Sequence, residues 1–370
     1  MVVLSALQLG IESSSTCQGR AACFNIAVVI DQASAEQTST RNESLTAERY
    51  RVFADVDALD LSPVYAELAR RAADDPELLE IIDELPAMQR QVTFVFALAR
   101  YLGAPFHQFE AFRDWVLEHR ELVLETAVGR TMQTNDPSRL APILPLLAQI
   151  RKPIALLEVG ASAGLCLYPD RYSFKYGDHP AIHPADGPSP VVIECAVSDH
   201  FPAPPELPQI VWRAGIDLNP VDVRNPDDVA WLRALIWPDN ERRSRTLDAA
   251  IELVAGETPM LVKGDLNDAL PALIRQVPPE ATLVIFHSAV LGYVEYEEVE
   301  TFVNTVLALP CVWIASELDD VIPGIDSQAY GSDTAHEFSF VVAVDGVPVA
   351  RSHPHGAWVA WDGDERPAHP

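Results

Sequence analysis

The stretch "LLEVGASAGL", residues 156–165, decides the fold. An apolar run ends in the carboxylate Glu158, and small residues then fill the space between Gly160 and Gly164. A short apolar run closed by a glycine loop reads as a strand buried on both faces, as in a parallel sheet. A helical reading follows the loop. Free backbone N–H groups at such a junction face a ligand, and small side chains let it approach. The same residues also suit a tight strand-to-helix turn, and these ten positions alone leave both readings standing.

Working outward, similar apolar runs occur at "IVWRAGID", "MLVKGD", "TLVIFHS" and "CVWIASE". Helical stretches separate them: "DDVAWLRALIWP", "RTLDAAIELVAG", "LNDALPALIRQV" and "EYEEVETFVNTVLAL". Strands alternating with helices imply right-handed crossovers and a parallel sheet. The end differs, because "EFSFVVAVDGVPVARSHPHGAWVAWD" predicts strands joined by a hairpin turn at Asp345-Gly346. The fold class is therefore α/β, a Rossmann-like, mostly parallel sheet with an antiparallel C-terminal hairpin. Ahead of it, residues 49–150 predict an all-helical domain: Ser62 caps a helix begun by Pro63, and "FEAFRDWVLEHRELVLETAVG" predicts one long amphipathic helix. Residues 1–48 show no clean period and read as a weakly ordered tail. Residues 151–370 form the α/β domain. Within it, residues 167–209 are too long and proline-rich for an ordinary loop and predict an insertion over the ligand-binding edge of the sheet.

Composition narrows the function. The 54 acidic against 26 basic residues give a net charge of −28, which repels phosphate backbones and anionic membranes. Neither nucleic acid nor membrane is an expected partner, and the acidity by itself does not say what is bound. No apolar run reaches the ~20 residues of a membrane span. The N-terminus lacks the basic start of a secretory signal. The five cysteines show no C-x-x-C pair or zinc spacing. The expectation is a cytoplasmic, reduced protein with no metal. His353 and His355 read as loop residues, and the oligomeric state is open.

Each strand end carries a polar residue. Asp217 follows the second strand of the alternating series, Asp265 the third, and His287 with Ser288 the fourth. In open α/β sheets ligands bind beyond the carboxyl ends of the strands, where the strand order reverses. Asp217 is a ribose ligand or an Asx turn before Pro220, with Glu194 as a rival ribose ligand. Asp265 is an adenine contact or a helix cap. His287 is a base or a core histidine, and Tyr293 is packing or chemistry. "GRTMQTND" crowds Arg130, Gln133 and Asn135 after a helix end, for substrate contact or for capping, and Tyr172 in "DRYSFKYG" joins the substrate candidates.

The series "LLEVGASAGL", "GIDLNP", "KGDLND" and "VIFHS", closed by the hairpin, resembles the class I S-adenosylmethionine-dependent methyltransferases. More narrowly, "EVGASAGL", "DRYSFKYG", "GIDLNPVDV", "WLRALIWPD", "VIFHSAVLGYV" and "GRTMQTND" resemble an uncharacterised bacterial family, domain of unknown function 2332. The resemblance implies S-adenosylmethionine as cofactor. It implies that Gly160, Ala161, Ser162 and Gly164 lie against the methionine part, that Glu158 orders the loop or meets the amino group, and that Asp217 holds the ribose and Asp265 meets adenine, with Leu218 and Leu266 beside them as cofactor-binding candidates. It places His287 near the sulfonium, and His287 and Tyr293 are the catalytic candidates. Ser162 stands where the superfamily's loop has its middle glycine. The implied activity is methyl transfer to a small molecule. The alternatives are a non-catalytic binding protein on the same fold and, behind it, a nicotinamide-dependent oxidoreductase, since a glycine loop with an acidic strand end serves both cofactors.

Overall fold

The computed structural model describes residues 45–59, 61–325 and 339–361. Most of the expected tail, with Cys17 and Cys23, lies outside these residues. Its last residues do not belong to a tail, because helix α1 (Leu45–Val52) already begins there and buries Tyr50. A short π-helical segment (Phe53–Asp57) leads to α2 (Pro63–Ala72), which opens as expected: the Ser62 side chain accepts the Tyr65 N–H and Pro63 takes the first helical position. α3 (Pro76–Glu84) repeats the device with Asp75 and Pro76. α4 (Val92–Tyr101), α5 (Phe109–Glu118) and α6 (Arg120–Val128) complete this part. The single long helix expected over α5 and α6 is broken at His119. The His119 ring stacks on Trp115 at 4.2 Å, and its Nδ1 lies 2.9 Å from the Trp115 carbonyl, locking the step between the two helices.

Residues 130–136 run without regular structure into a 3-10 turn (Pro137–Leu140) and one helical turn, α7 (Leu144–Leu147). Prolines at 142 and 145 prevent anything longer. The sheet then begins. Its strands are β1 (Ile154–Val159), β2 (Ser173–Tyr176), β3 (Val192–Val197), β4 (Ile210–Asp217), β5 (Met260–Lys263), β6 (Thr282–Ser288), β7 (Val312–Leu318), β8 (Phe340–Val344), β9 (Val347–Ser352) and β10 (Trp358–Trp361). The interleaved helices are α8 (Pro226–Ala234), α9 (Glu241–Gly256), α10 (Leu266–Ile274) and α11 (Tyr296–Ala308).

The strands form one sheet in the order β2-β3-β10-β9-β8-β7-β6-β1-β4-β5. From β5 to β7 all pairs are parallel. The chain steps from β1 outward through β4 to β5, then crosses back to β6 and β7. The order therefore reverses beside β1, which is buried at all six positions, and a crevice opens there between strand ends. β7, β8, β9 and β10 pair antiparallel. The β8–β9 turn sits at Asp345 and Gly346, both at positive φ, as a two-residue hairpin requires.

Two expectations change. The insertion does not lie over the ligand edge: its strands β2 and β3 extend the sheet at the far end, β3 pairing with the last strand β10. The helix expected after residues 160–164 is a single 3-10 turn (Leu165–Leu167). On one face of the sheet, α7, α9 and the 165–176 stretch enclose Leu156, Val284 and Phe286. On the other, α10 and α11 cover Leu157, Ile285 and Trp313. The N-terminal helices share a third cluster with Trp231 of α8.

Candidate functional site

The crevice is built from the ends of β1, β4 and β6. Gly160 N–H and Ala161 N–H both donate to the Ile216 carbonyl, at 2.8 and 3.0 Å. This ties the loop down onto β4. A Cβ on Gly160, at φ +72°, would fall 2.2 Å from a Val290 methyl, so only glycine fits. Ser162 has φ +48°, a conformation costing a non-glycine residue about 1–2 kcal/mol. Two bonds offset that cost: its N–H donates to Asp217 Oδ2 at 2.8 Å, and its Oγ to the Gln133 carbonyl at 3.0 Å. A serine thus holds the backbone shape a glycine would adopt freely. Across the reversal point Ala289, just beyond β6, has φ +59°. Strained backbone on both sides of one crevice is the pattern of a functional edge.

Residues 130–136 cover the loop. Arg130 pairs with Asp227 and, at 3.6 Å, with Asp228, and lies over the Tyr101 and Trp231 rings. It clamps α8 to the helical part and does not reach the crevice. Gln133 donates its side-chain N–H to the Asn219 carbonyl, strapping the cover to the turn after β4. Asn135 Oδ1 accepts the Leu165 N–H at 2.8 Å, and the fully buried Tyr172 gives its hydroxyl to the Leu165 carbonyl at 2.7 Å. These bonds explain the missing helix, since both backbone groups of Leu165 are committed to side chains elsewhere. Of the four expected substrate contacts, Gln133 alone borders the crevice.

Asp217 is half-buried, and its Oδ1 accepts the Asn219 N–H at 2.7 Å, the Asx turn foreseen as one reading. Leu218 beside it is 64% exposed. Asp265 caps α10 through the Asn267 N–H at 2.8 Å, and Leu266 is core. Glu194 stands on β3 at the far end of the sheet, paired with Arg242, which removes it as a ribose ligand.

His287 lies where the core-histidine reading puts it. It has no exposed surface. Its Nε2 accepts the Trp313 Nε1–H at 3.0 Å, and its Nδ1 lies 2.7 Å from Glu317 Oε1. Indole only donates, so the proton sits on Nδ1 and points at Glu317. Glu317 also accepts the Val290 and Leu291 N–H groups. The chain Trp313–His287–Glu317 therefore holds the turn after β6 in place, and no substrate reaches the imidazole. Tyr293, on that turn, keeps 38% of its surface exposed. Desolvation raises its phenol pKa, with Arg139 opposing and Glu317 adding.

On the opposite face, Glu158 and Ser288 project from neighbouring strands beneath Arg139 of the 3-10 turn. All three are at least nine-tenths buried. Burial pushes the Glu158 carboxyl well above the usual range; Arg139 pulls it back and Asp217 adds to the rise. Beside them Asp136 caps the 3-10 turn and meets Arg243 Nε at 2.8 Å and His355 at 3.5 Å. Among the described residues no group of three or more His, Cys, Asp or Glu could hold a metal ion, and no helix is long and apolar enough to cross a membrane.

Sequence reasoning missed Arg139, Glu317 and Asp136; Ser288 it placed at the end of the fourth strand, where the structure has it. A charge inside the apolar run "SRLAPILPLL" marks Arg139, and a carboxylate at the end of "VWIASE" repeats the strand-end pattern at Glu317. A family model described as an uncharacterized protein conserved in bacteria, DUF2332, matches residues 47–361. No curated protein matches the chain.

Proposed function

The chain belongs to this uncharacterised bacterial family, and from that premise we propose that it is an S-adenosylmethionine-dependent methyltransferase acting on a small molecule. One observation carries the reading. In the order β5-β4-β1-β6-β7, β1 carries Glu158 one residue before its end, β4 ends in Asp217, and Asp265 follows β5 on the same edge. The residues fit the adenosine half of the cofactor. Each Asp217 oxygen has taken one backbone N–H and keeps lone pairs for ribose hydroxyls. The exposed Leu218 offers an apolar wall for a base, and Asp265 caps its helix through one oxygen only. Bound there, the sulfonium supplies the reactive methyl. The chain's own groups orient, exclude water and hold the acceptor. Tyr293, on the turn after β6, meets solvent. A phenol is protonated at neutral pH, so Tyr293 orients an acceptor as a hydrogen-bond donor and is no base.

Isothermal titration tests the reading: S-adenosylhomocysteine binds folded protein, and Asp217→Asn weakens it. Absence of binding to the wild type refutes it. The second reading, a binding protein without turnover, is favoured by the cover over residues 160–164 and by the enclosure of His287. It predicts binding with no methyl transfer to any acceptor in a cell-extract screen.

A further inference from the structure

Arg139 is a buried cation without a counter-ion. Its residue is 9% exposed, and its Nη1 donates to the Ser288 carbonyl at 3.2 Å. Its Nε is buried with no partner, and no carboxylate among the described residues forms an ion pair with it. Two more orphans lie near it: Glu158 Oε2, with the Cys166 thiol close to its carboxyl, and Ser288 Oγ are both buried without a hydrogen-bond partner. A buried guanidinium left unpaired costs several kcal/mol, and buried polar atoms without partners are uncommon in a native fold. The nearby Asp136 does not supply the missing charge, because it is bound to Arg243. The other nearby carboxyl, Glu158, is held towards its neutral form by burial. Tyr293, partly exposed, is near enough to Arg139 to feel its charge.

We propose that Arg139, Glu158 and Ser288 form a buried receptor for the carboxylate of a small-molecule ligand. The free Nε edge of Arg139 takes the planar anion side-on, the Ser288 hydroxyl donates to it, and the Glu158 carboxyl donates from the other side. The carboxylate belongs to the acceptor or to the amino-acid end of the cofactor, and the receptor stands whether or not methyl transfer occurs.

The probes are sodium acetate and sodium formate against sodium chloride at equal ionic strength, read as thermal shift and as titrated affinity. The expected result is stabilisation of the wild type by both carboxylates over chloride. Arg139→Gln, which keeps a donor for the Ser288 carbonyl, loses about tenfold or more in affinity. Glu158→Gln keeps the donor, removes the competing acidic group, and binds acetate at least as tightly as the wild type. Carboxylates equal to chloride on the wild type overturn the proposal. So does undiminished binding in folded Arg139→Gln, or loss of acetate binding in Glu158→Gln. Titration with S-adenosylhomocysteine and with 5′-methylthioadenosine, which lacks the amino-acid end, then names the source. A preference for the former that vanishes in Arg139→Gln assigns the carboxylate to the cofactor. Equal affinities assign it to the acceptor. If neither nucleoside binds while acetate does, the methyltransferase reading fails and the receptor survives.

Discussion

Replacing Glu317 by glutamine changes one atom type and breaks a donor count. In the native protein three N–H groups converge on this 1% exposed carboxylate: Val290 N at 2.9 Å, Leu291 N at 3.2 Å and His287 Nδ1 at 2.7 Å. A carboxylate accepts all three. The amide of glutamine has one acceptor oxygen and an NH2 that only donates. All three bonds fall on Oε1, and the Val290 N–H is shared with Oε2 at 3.1 Å. An amide with its oxygen at Oε1 therefore sets its NH2 against the Val290 N–H, and turned the other way sets it against all three donors. An unsatisfied buried donor costs about 1–3 kcal/mol, and the remaining bonds fall from charge-assisted to neutral strength. The sum is about 3–5 kcal/mol, a large fraction of the ~5–15 kcal/mol that holds a domain folded. His287 cannot escape by moving its proton to Nε2, because Trp313 already donates there. Adding Trp313→Phe removes that obstacle, so the double variant is less destabilised than the sum of the singles by about 1–2 kcal/mol. Urea denaturation gives the free energies, and the melting temperature drops by about 6–10 °C. A Glu317→Gln loss below about 1 kcal/mol, or strict additivity with Trp313→Phe, refutes the assigned tautomer and the enclosed role of His287.

Gly356→Ala puts a Cβ 1.8 Å from the Ser138 carbonyl oxygen, with Gly356 at φ +65°; chemical denaturation should show a loss of about 3 kcal/mol or more. Asp217→Asn can accept only one of the Ser162 and Asn219 N–H groups, so stability falls by about 1–2 kcal/mol and calorimetric affinity for S-adenosylhomocysteine falls about tenfold or more. Burial, with Arg243 beside it, lowers the His355 pKa to about 3 from 6.5. The fold then binds fewer protons than the unfolded chain, and the stability present above pH 6.5 is lost as the pH falls from 6.5 towards 3. His355→Asn should flatten that acid limb of a melting-temperature profile, and an unchanged slope would exclude His355 as its source.

The strands were legible because their signals are local. "IVWRAGID" and "TLVIFHS" are β4 and β6 to the residue, and the Ser62-Pro63 and Asp345-Gly346 signals fall where the chain starts a helix or turns. What failed depends on distant partners. The helix after Gly164 is absent because Asn135, 30 positions upstream, and Tyr172 hold Leu165. His287 is enclosed by Glu317 and Trp313, 30 and 26 positions away, whose approach follows from strand register and not from spacing. Of the site, the loop and Asp217 were readable as a pair of strand ends. Arg139 was not, because it enters the crevice region from the preceding helical part.

The far wing of the sheet carries a consequence for how the protein is made. β3 has β2 along one edge, but its other edge waits for β10: Ala196 N–H bonds the Ala357 carbonyl, and the Ser198 hydroxyl accepts the Trp361 N–H from 163 positions downstream. At about 5–20 residues per second, the ribosome needs roughly 8–30 seconds to deliver that segment. Throughout that interval β3 waits with an open edge, a template for the wrong strand. A nascent chain stalled before Trp358 is therefore the species that should call on chaperones, and the last strand to emerge is the one that seals the first wing begun.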